Sequence, residues 1–285
     1  MAIVNTHYGF CAKGAAVKFT YTGEYNVRDD GVVELLTSGT LIFLNPVVID
    51  RFMVGGGGAG GGVTQHYQQG AAGGGGGGGY TRTDKKLSVP ADLNITVTIG
   101  EGGIPSYNSS EFNGKPTTWG ADSVNGGNGC PKYAGSEGTY KQNGAAGGSG
   151  GGGCTISNSD FGSGGSDGNN GESGFPTSVT GGAGQGSSTR EFGDATAKLY
   201  AGGGGGGKYM SSTTPIVSNG GSGGGGTGGW CGSFAERVQA AASGVANTGG
   251  GGGGGASYTS ATTGENPTAP AGSGGSGIVC FRAAH

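Results

Sequence analysis

Residues 47–62 read VVIDRFMVGGGGAGGG, and this stretch decides the fold. Its first half is rich in β-branched and aromatic side chains, which is typical of a strand. Its second half is glycine apart from Ala59, which is typical either of a flexible linker or of an ordered polyglycine chain. The chain therefore leaves a predicted strand at Val54 and enters a glycine tract at once.

Glycine dominates the whole sequence, with 76 glycines among 285 residues and only 9 prolines. Collagen is excluded because it needs glycine at every third position together with abundant proline. Ordering a glycine costs roughly 0.5 to 1 kcal/mol more than ordering an alanine, whereas a lateral hydrogen bond between packed chains contributes roughly 0.5 to 1.5 kcal/mol. Because a Cβ would push such chains apart, glycine favours a bundle of packed polyglycine II helices over a linker.

The glycine tracts recur along the chain and are separated by less biased segments. We identify tracts at 55–62, 70–79, 143–153, 161–171, 181–186, 202–207, 219–229, 249–255 and 270–277, with 100–103 as a short tenth. If each tract crosses the bundle once, the segments between them alternate between a β base and a far end. This count assigns 63–69, 104–142, 172–180, 208–218 and 256–269 to the far end, and 154–160, 187–201 and 230–248 to the base.

The segments of alternating or β-branched residues predict the strands of the β base. We expect strands at 16–21, 32–36, 40–43, 47–54, 94–99 and 277–282. The fold class is thus mainly β: a small antiparallel sandwich-like base that carries an inserted polyglycine II bundle with distal loops. The predicted organisation is an N-terminal base at 1–54, a glycine-rich body at 55–276 that includes the base strand 94–99, and a closing strand at 277–285. One short helix is predicted at 233–242, since Ser233 and Glu236 have capping-box spacing.

The far-end segments are polar and aromatic, which is the composition of a recognition surface. The candidate receptor-binding residues are Gln65, His66, Tyr67, Gln68, Tyr107, Trp119, Tyr133, Tyr209, Met210 and Tyr258. Each aromatic side chain among them could instead pack locally over glycine.

The sequence lacks the residues that several classes of function require. With three histidines, two of them near the termini, a histidine-dependent triad is not expected, and we predict no catalytic residue, metal or cofactor. Residues 202–208 approach a phosphate loop, but Tyr209 stands where Ser or Thr is needed. The five cysteines lack metal-ligand spacing and are expected to be buried free thiols. A net charge of −3 without a basic patch argues against nucleic acid, and we expect neither membrane insertion nor a signal peptide.

Particular stretches resemble a known family. They are Phe52-Met53-Val54 before Gly55, Gly79-Tyr80-Thr81, Val97 to Gly100, Thr189-Arg190-Glu191-Phe192-Gly193, Leu199-Tyr200-Ala201, and Gly274 to Val279. From about Phe19 onward the chain resembles the glycine-rich domains of bacteriophage tail fibre and tail tip proteins, especially those of gut Firmicutes phages and prophages. The resemblance implies a sandwich-like base, a polyglycine II body and a distal loop surface that binds a bacterial receptor.

Three functions are compatible with these features. The first is a non-enzymatic phage tail adhesin, exposed on the virion, whose partners are a bacterial surface glycan or protein and other tail subunits, as a homo-oligomer. The second is a self-assembling filament or coat subunit, of a phage or at the bacterial cell surface, that pairs through its glycine surface or an exposed strand edge. The third is ice binding, which would need a flat and regular face.

Overall fold

The computed structural model describes residues 7–9, 17–63, 70–133, 140–156, 189–209, 218–232, 238–258 and 267–284. Its strands, in chain order, are β1 (His7–Gly9), β2 (Val17–Tyr21), β3 (Tyr25–Val27), β4 (Val33–Leu35), β5 (Gly39–Phe43), β6 (Val47–Val54), β7 (Ala71–Ala72), β8 (Thr81–Val89), β9 (Ile95–Thr98), β10 (Thr117–Trp119), β11 (Asp122–Val124), β12 (Tyr140–Lys141), β13 (Lys208–Tyr209), β14 (Trp230–Cys231), β15 (Val238–Gln239), β16 (Ala256–Ser257), β17 (Thr268–Ala269) and β18 (Ile278–Ala283). The helical elements described are α1 (Ser109–Phe112) and a 3-10 turn, Glu191–Gly193.

The base is a sandwich of two antiparallel sheets. One sheet has the order β1-β2-β5-β9-β10-β11 and the other has the order β3-β4-β18-β6-β8. Their inner faces enclose one apolar core, because alternate residues of each strand point to the same side. Its largest buried side chains include Phe19, Leu41, Phe43, Met53 and Phe281. The six strands predicted from sequence are confirmed, and the closing strand β18 lies between β4 and β6.

Beyond Val54 the chain enters a lattice of parallel-packed segments, here called the glycine lattice. Within 55–62, amides three residues apart donate to the same neighbour: Gly55, Gly58 and Gly61 to segment 74–80, Gly56 and Ala59 to 112–115, and Gly57 and Gly60 to 272–275. Carbonyls of the same segment accept from three further neighbours. A three-residue period with six neighbours is polyglycine II packing. Segments 73–79 and 249–255 are surrounded in the same way.

Close approach of backbones requires glycine in this lattice. A Cβ at Gly58 would overlap the carbonyl oxygen of Asn128, and one at Gly76 would overlap that of Gly58. Residues 55–62 are buried throughout, including Ala59. The lateral hydrogen bonds therefore satisfy a buried backbone that makes no ladder bonds of its own.

The assumption that every tract crosses the lattice once is wrong for two tracts. Tract 143–153 first runs toward the base, where the amide of Gly148 bonds to the carbonyl of Gly78. It then runs back away from the base, so that the amide of Cys154 bonds to the carbonyl of Gln142. Tract 219–229 turns at Gly223 and Gly224, whose φ of +96° is accessible mainly to glycine. Both tracts fold back on themselves, so the segment directly after each of them lies at the end opposite to the one predicted.

Residues 154–156, 230–232 and 238–239, which the sequence assigned to the base, lie elsewhere in the structure. Thr155 and Trp230 each pair with Lys208, at the end of the lattice opposite the base, which we call the tip. Segment 104–142 also differs from expectation, because its middle part returns to the base as β10 and β11. Tracts 161–171 and 181–186 and the far-end segment 172–180 lie outside the described residues.

The predicted helix at 233–242 is also wrong where the structure describes it. Val238 and Gln239 form strand β15, and Ala241 to Gly244 run as a lattice segment, in which the amide of Ala242 bonds to Thr227. Over 238–244, pairing with β14 and lateral bonding to neighbouring segments outweigh the local helical pattern, whereas Ser233 and Glu236 lie outside the described residues.

Candidate binding surface at the tip

Two small sheets close the lattice at the tip. One has the order β12-β7-β16-β17 and the other has the order β13-β14-β15. Each contains one parallel pair, because neighbouring lattice segments run in the same direction there: β12 and β7 run toward the base, and β13 and β14 run away from it. The segments 64–69, 210–217 and 259–266 begin and end next to described tip residues such as Val63, Gly70, Tyr209 and Tyr258.

An aromatic pair lies at this end. The rings of Tyr209 and Tyr258 are stacked, with centroids 5.0 Å apart and planes inclined by 6°. Both side chains are half-buried. A Cβ at Gly70 would overlap the ring of Tyr209, so this glycine makes room for the ring. The pair forms a fixed aromatic platform, since a stacked ring loses little further entropy on contact with a partner.

Below the platform lies a compact apolar cluster. It contains Cys154, Ile156, Cys231, Ala256 and Ala269, with Tyr209 and Tyr258 packed against it. Burial raises the pKa of Cys231 to about 12, so its thiol is protonated at neutral pH. This cluster holds the outermost strands together, and it anchors the aromatic pair to the lattice.

A second, polar group lies beside the cluster. Lys208 and Trp230 are paired in register on β13 and β14, and both are buried. Neither Lys208 Nζ nor Trp230 Nε1 has a hydrogen-bond partner within the described part of the chain. Desolvation lowers the pKa of Lys208. In the sequence, Lys208 stands out only as the last residue of the incomplete phosphate-loop pattern at 202–208, and no sequence signal indicates that its amine is buried.

The other predicted contact residues are scattered. Tyr133 pairs with Val63 by a parallel bridge at the tip. Tyr107 is exposed, and the ammonium of Lys132, which directly precedes Tyr133, is 5.5 Å from its ring centroid. Trp119 was predicted at the far end, and this prediction is wrong. It belongs to β10 in the core of the base, where its ring centroid lies 6.1 Å from that of Phe281. Gln65, His66, Tyr67, Gln68 and Met210 lie outside the described residues.

The opposite end of the lattice is fixed by a docked segment, 189–201. Phe192 and Tyr200 pack on the outer face of the second sheet, around Phe52. The buried carboxylate of Glu191 accepts hydrogen bonds from Arg28, at 2.6 and 3.0 Å, and from Tyr200 Oη at 3.2 Å. This confirms the prediction that segment 187–201 belongs to the base for its described residues, 189–201.

The fold agrees with the comparison to known families. A family described as the glycine-rich domain matches residues 37–284, which include most of the base, the whole lattice and both tip sheets. The chain belongs to this family. A search of curated proteins with this chain found no match. Within its described residues there is no cluster of metal-binding side chains, and no helix there has the length and apolarity of a membrane span.

The structure describes four of the chain's five cysteines, and all four are buried and free: Cys130, Cys154, Cys231 and Cys280. This agrees with the prediction of buried free thiols, and Cys11 lies outside the described residues.

Proposed function

We propose that this chain is a phage tail adhesin whose tip binds a surface glycan or protein of a bacterial host. The observation that carries this proposal is the stacked pair of Tyr209 and Tyr258 at the end of a laterally bonded lattice, opposite the base. The resemblance to tail fibre domains supports the same function. No step of the proposal requires catalysis or a cofactor.

Rigidity is the mechanism in this proposal. A lattice whose central segments have six neighbours holds the tip strands in place before a partner arrives. Binding then loses little conformational entropy, which leaves more of the contact energy as affinity. Aromatic side chains suit such a surface, because they offer a large contact area with few rotatable bonds.

One described edge argues against the filament alternative. Strand β8 is the long edge strand of its sheet, but its pairing with β6 is interrupted by a register shift between Ile49 and Arg51. Opposite this shift, Lys86 has a φ of +54°, and Lys85 beside it is exposed. Bulges and lysines are the features by which edge strands avoid pairing with other copies.

The proposal is tested by binding of the labelled full chain to intact cells and isolated cell walls of a panel of Gram-positive bacteria. We expect saturable binding to at least one of them, and a loss of about tenfold or more in the Y209A/Y258A variant, since aromatic anchors carry much of the energy of such contacts. Leu93→Ala is the matched control, because Leu93 is exposed at the opposite end of the base.

Two results would overturn the proposal. One is the absence of binding to every cell and wall fraction. The other is unchanged binding after replacement of Tyr209 together with both the 63–69 segment and the 256–269 segment, which contains Tyr258. Long regular fibres of the purified chain in electron micrographs would favour the self-assembling alternative instead.

A further inference from the structure

Buried polar atoms without partners are concentrated at the tip. Within the described residues they include Lys208 Nζ, Trp230 Nε1, Ser218 Oγ and Ser257 Oγ. Lys208 has no exposed surface, and the other three residues are at most 2% exposed. Because a buried polar group without a hydrogen bond is costly, several of them together indicate something that accepts their hydrogen bonds.

The backbone brings these residues to one layer. Lys208 and Trp230 are direct partners on parallel strands, so their side chains leave the sheet on the same face. Ser257 lies on β16, which packs against both of these strands. Ser218 pairs with Gly228, two residues before Trp230.

The side chains of these four residues can all donate hydrogen bonds. An ammonium has three N–H donors and no acceptor, an indole has one N–H donor, and a hydroxyl can donate as well as accept. No described carboxylate forms an ion pair with Lys208, and its Nζ has no described hydrogen-bond partner. A water molecule could accept from the donors, but it would leave the buried positive charge uncompensated. A small anion satisfies the donors and the charge together.

We propose that Lys208 and Trp230 hold a small inorganic monovalent anion, of the size of chloride, between the lattice and the tip sheets. The hydroxyls of Ser218 and Ser257 lie in the same layer and are available as further donors. The complete burial of Lys208 selects a small ion over the carboxylate of a large receptor. The site would stabilise the layer that supports the tip, and it does not depend on the proposed adhesin function.

The experiment is thermal unfolding of the full chain at constant ionic strength, with sodium gluconate replaced stepwise by sodium chloride or bromide. We expect the melting temperature to rise saturably with either halide, because a ligand that binds only the folded state stabilises it by mass action. Lys208→Met should remove this dependence while keeping a side chain of similar length. Lys18→Met is the control, because Lys18 is exposed on β2 in the base and its loss should leave the halide response intact.

Crystals grown with bromide provide the direct measurement. We expect an anomalous peak within hydrogen-bond distance of both Nζ and Nε1. The proposal is overturned if gluconate and the halides give equal melting temperatures, if K208M keeps the halide response, or if the site shows only water. Should K208M not fold, Trp230→Phe removes one donor and keeps most of the ring, and it should weaken the halide dependence.

Discussion

The guanidinium of Arg51, on the second sheet of the base, lies 2.7 Å from the carboxylate of Asp122, on the first sheet. The same Nη2 lies 2.6 Å from Asp84 on the neighbouring strand β8. Arg51 is fully buried and also lies over the ring of Trp119, 5.3 Å from its centroid. One arginine therefore joins the two sheets at an edge of the core.

Removing both carboxylates should destabilise the base strongly. We expect D84N/D122N to lower the free energy of unfolding by about 3 to 5 kcal/mol, because the charge of Arg51 would then be buried without a partner. Either single variant should cost less, since the other carboxylate remains. Urea unfolding measures the change, and Asp92→Asn, at an exposed turn with a φ of +57° that asparagine tolerates, is the control. An unchanged midpoint in the double variant would contradict the role given to Arg51.

The same ion pairs predict how stability depends on pH. A hydrogen bond from Arg51 lowers the pKa of Asp122, and one from Arg28 lowers the pKa of Asp30. A lowered folded pKa contributes stability above the unfolded value of about 3.9, and this contribution is lost as the pH falls through the folded value. We therefore expect a nearly flat free energy of unfolding from pH 7 to about 5 and a decline below about 4. Asp122→Asn should make that decline shallower, as measured by urea unfolding at each pH.

Alanine should be tolerated at some lattice glycines and not at others. A Cβ at Gly58 would overlap a backbone oxygen, whereas the atoms nearest to a Cβ at Gly62 belong to the side chain of Lys132, the first of them at 3.1 Å. We expect G58A to cost about 3 kcal/mol or more, as overpacking against backbone does. G62A should change the free energy by less than about 1 kcal/mol, since alanine also restricts the unfolded chain. Equal effects at the two positions would show that the lattice is not close-packed.

The buried thiols should resist modification in the folded protein. Burial raises the pKa of Cys130 to about 12, and Cys231 is raised to the same range. Because the thiolate is the reactive form, native protein at pH 8 should react negligibly with a thiol reagent. In a Cys11→Ser background we expect no rapid labelling before denaturation and four labelled thiols after it. Mass spectrometry identifies the sites, and fast native labelling of Cys231 would mean that the tip cluster is open.

Amide exchange should separate the interior of the lattice from its surface. Peptides covering 55–62, 73–79 and 249–255 should exchange only on global unfolding, because their amides are buried and bonded to neighbouring segments. Segment 241–245 contains exposed residues and should exchange faster. Deuterium uptake followed by mass spectrometry gives both rates. Rapid exchange in all four segments would contradict an ordered polyglycine bundle.

The sequence predicted the base well, because strands such as β9 show a clear alternation of apolar and polar residues. Ile95 and Val97 are buried, and Thr96 between them is exposed. It could not predict the path through the lattice. Gly223 and Gly224 form a turn, but nothing in a glycine tract distinguishes the residues that turn from those that run straight.

The candidate site was predicted only in part, for a related reason. Tyr209 and Tyr258 were expected at the tip and lie there, since one straight tract leads to each of them. Trp119 was misplaced because β10 has only three residues, too few for a visible period. The burial of Lys208 arises from segments distant in sequence, such as the one ending in Trp230, and no local pattern reports it.

The three-residue bonding period has a consequence for how such domains can change in length. Adding three residues to a tract, about 9 Å of chain, would leave every later amide aimed at its old neighbour. One or two extra residues would rotate the remainder by a third or two thirds of a turn and misdirect its bonds. In related proteins whose glycine lattices differ in length, corresponding tracts should therefore differ by multiples of three residues.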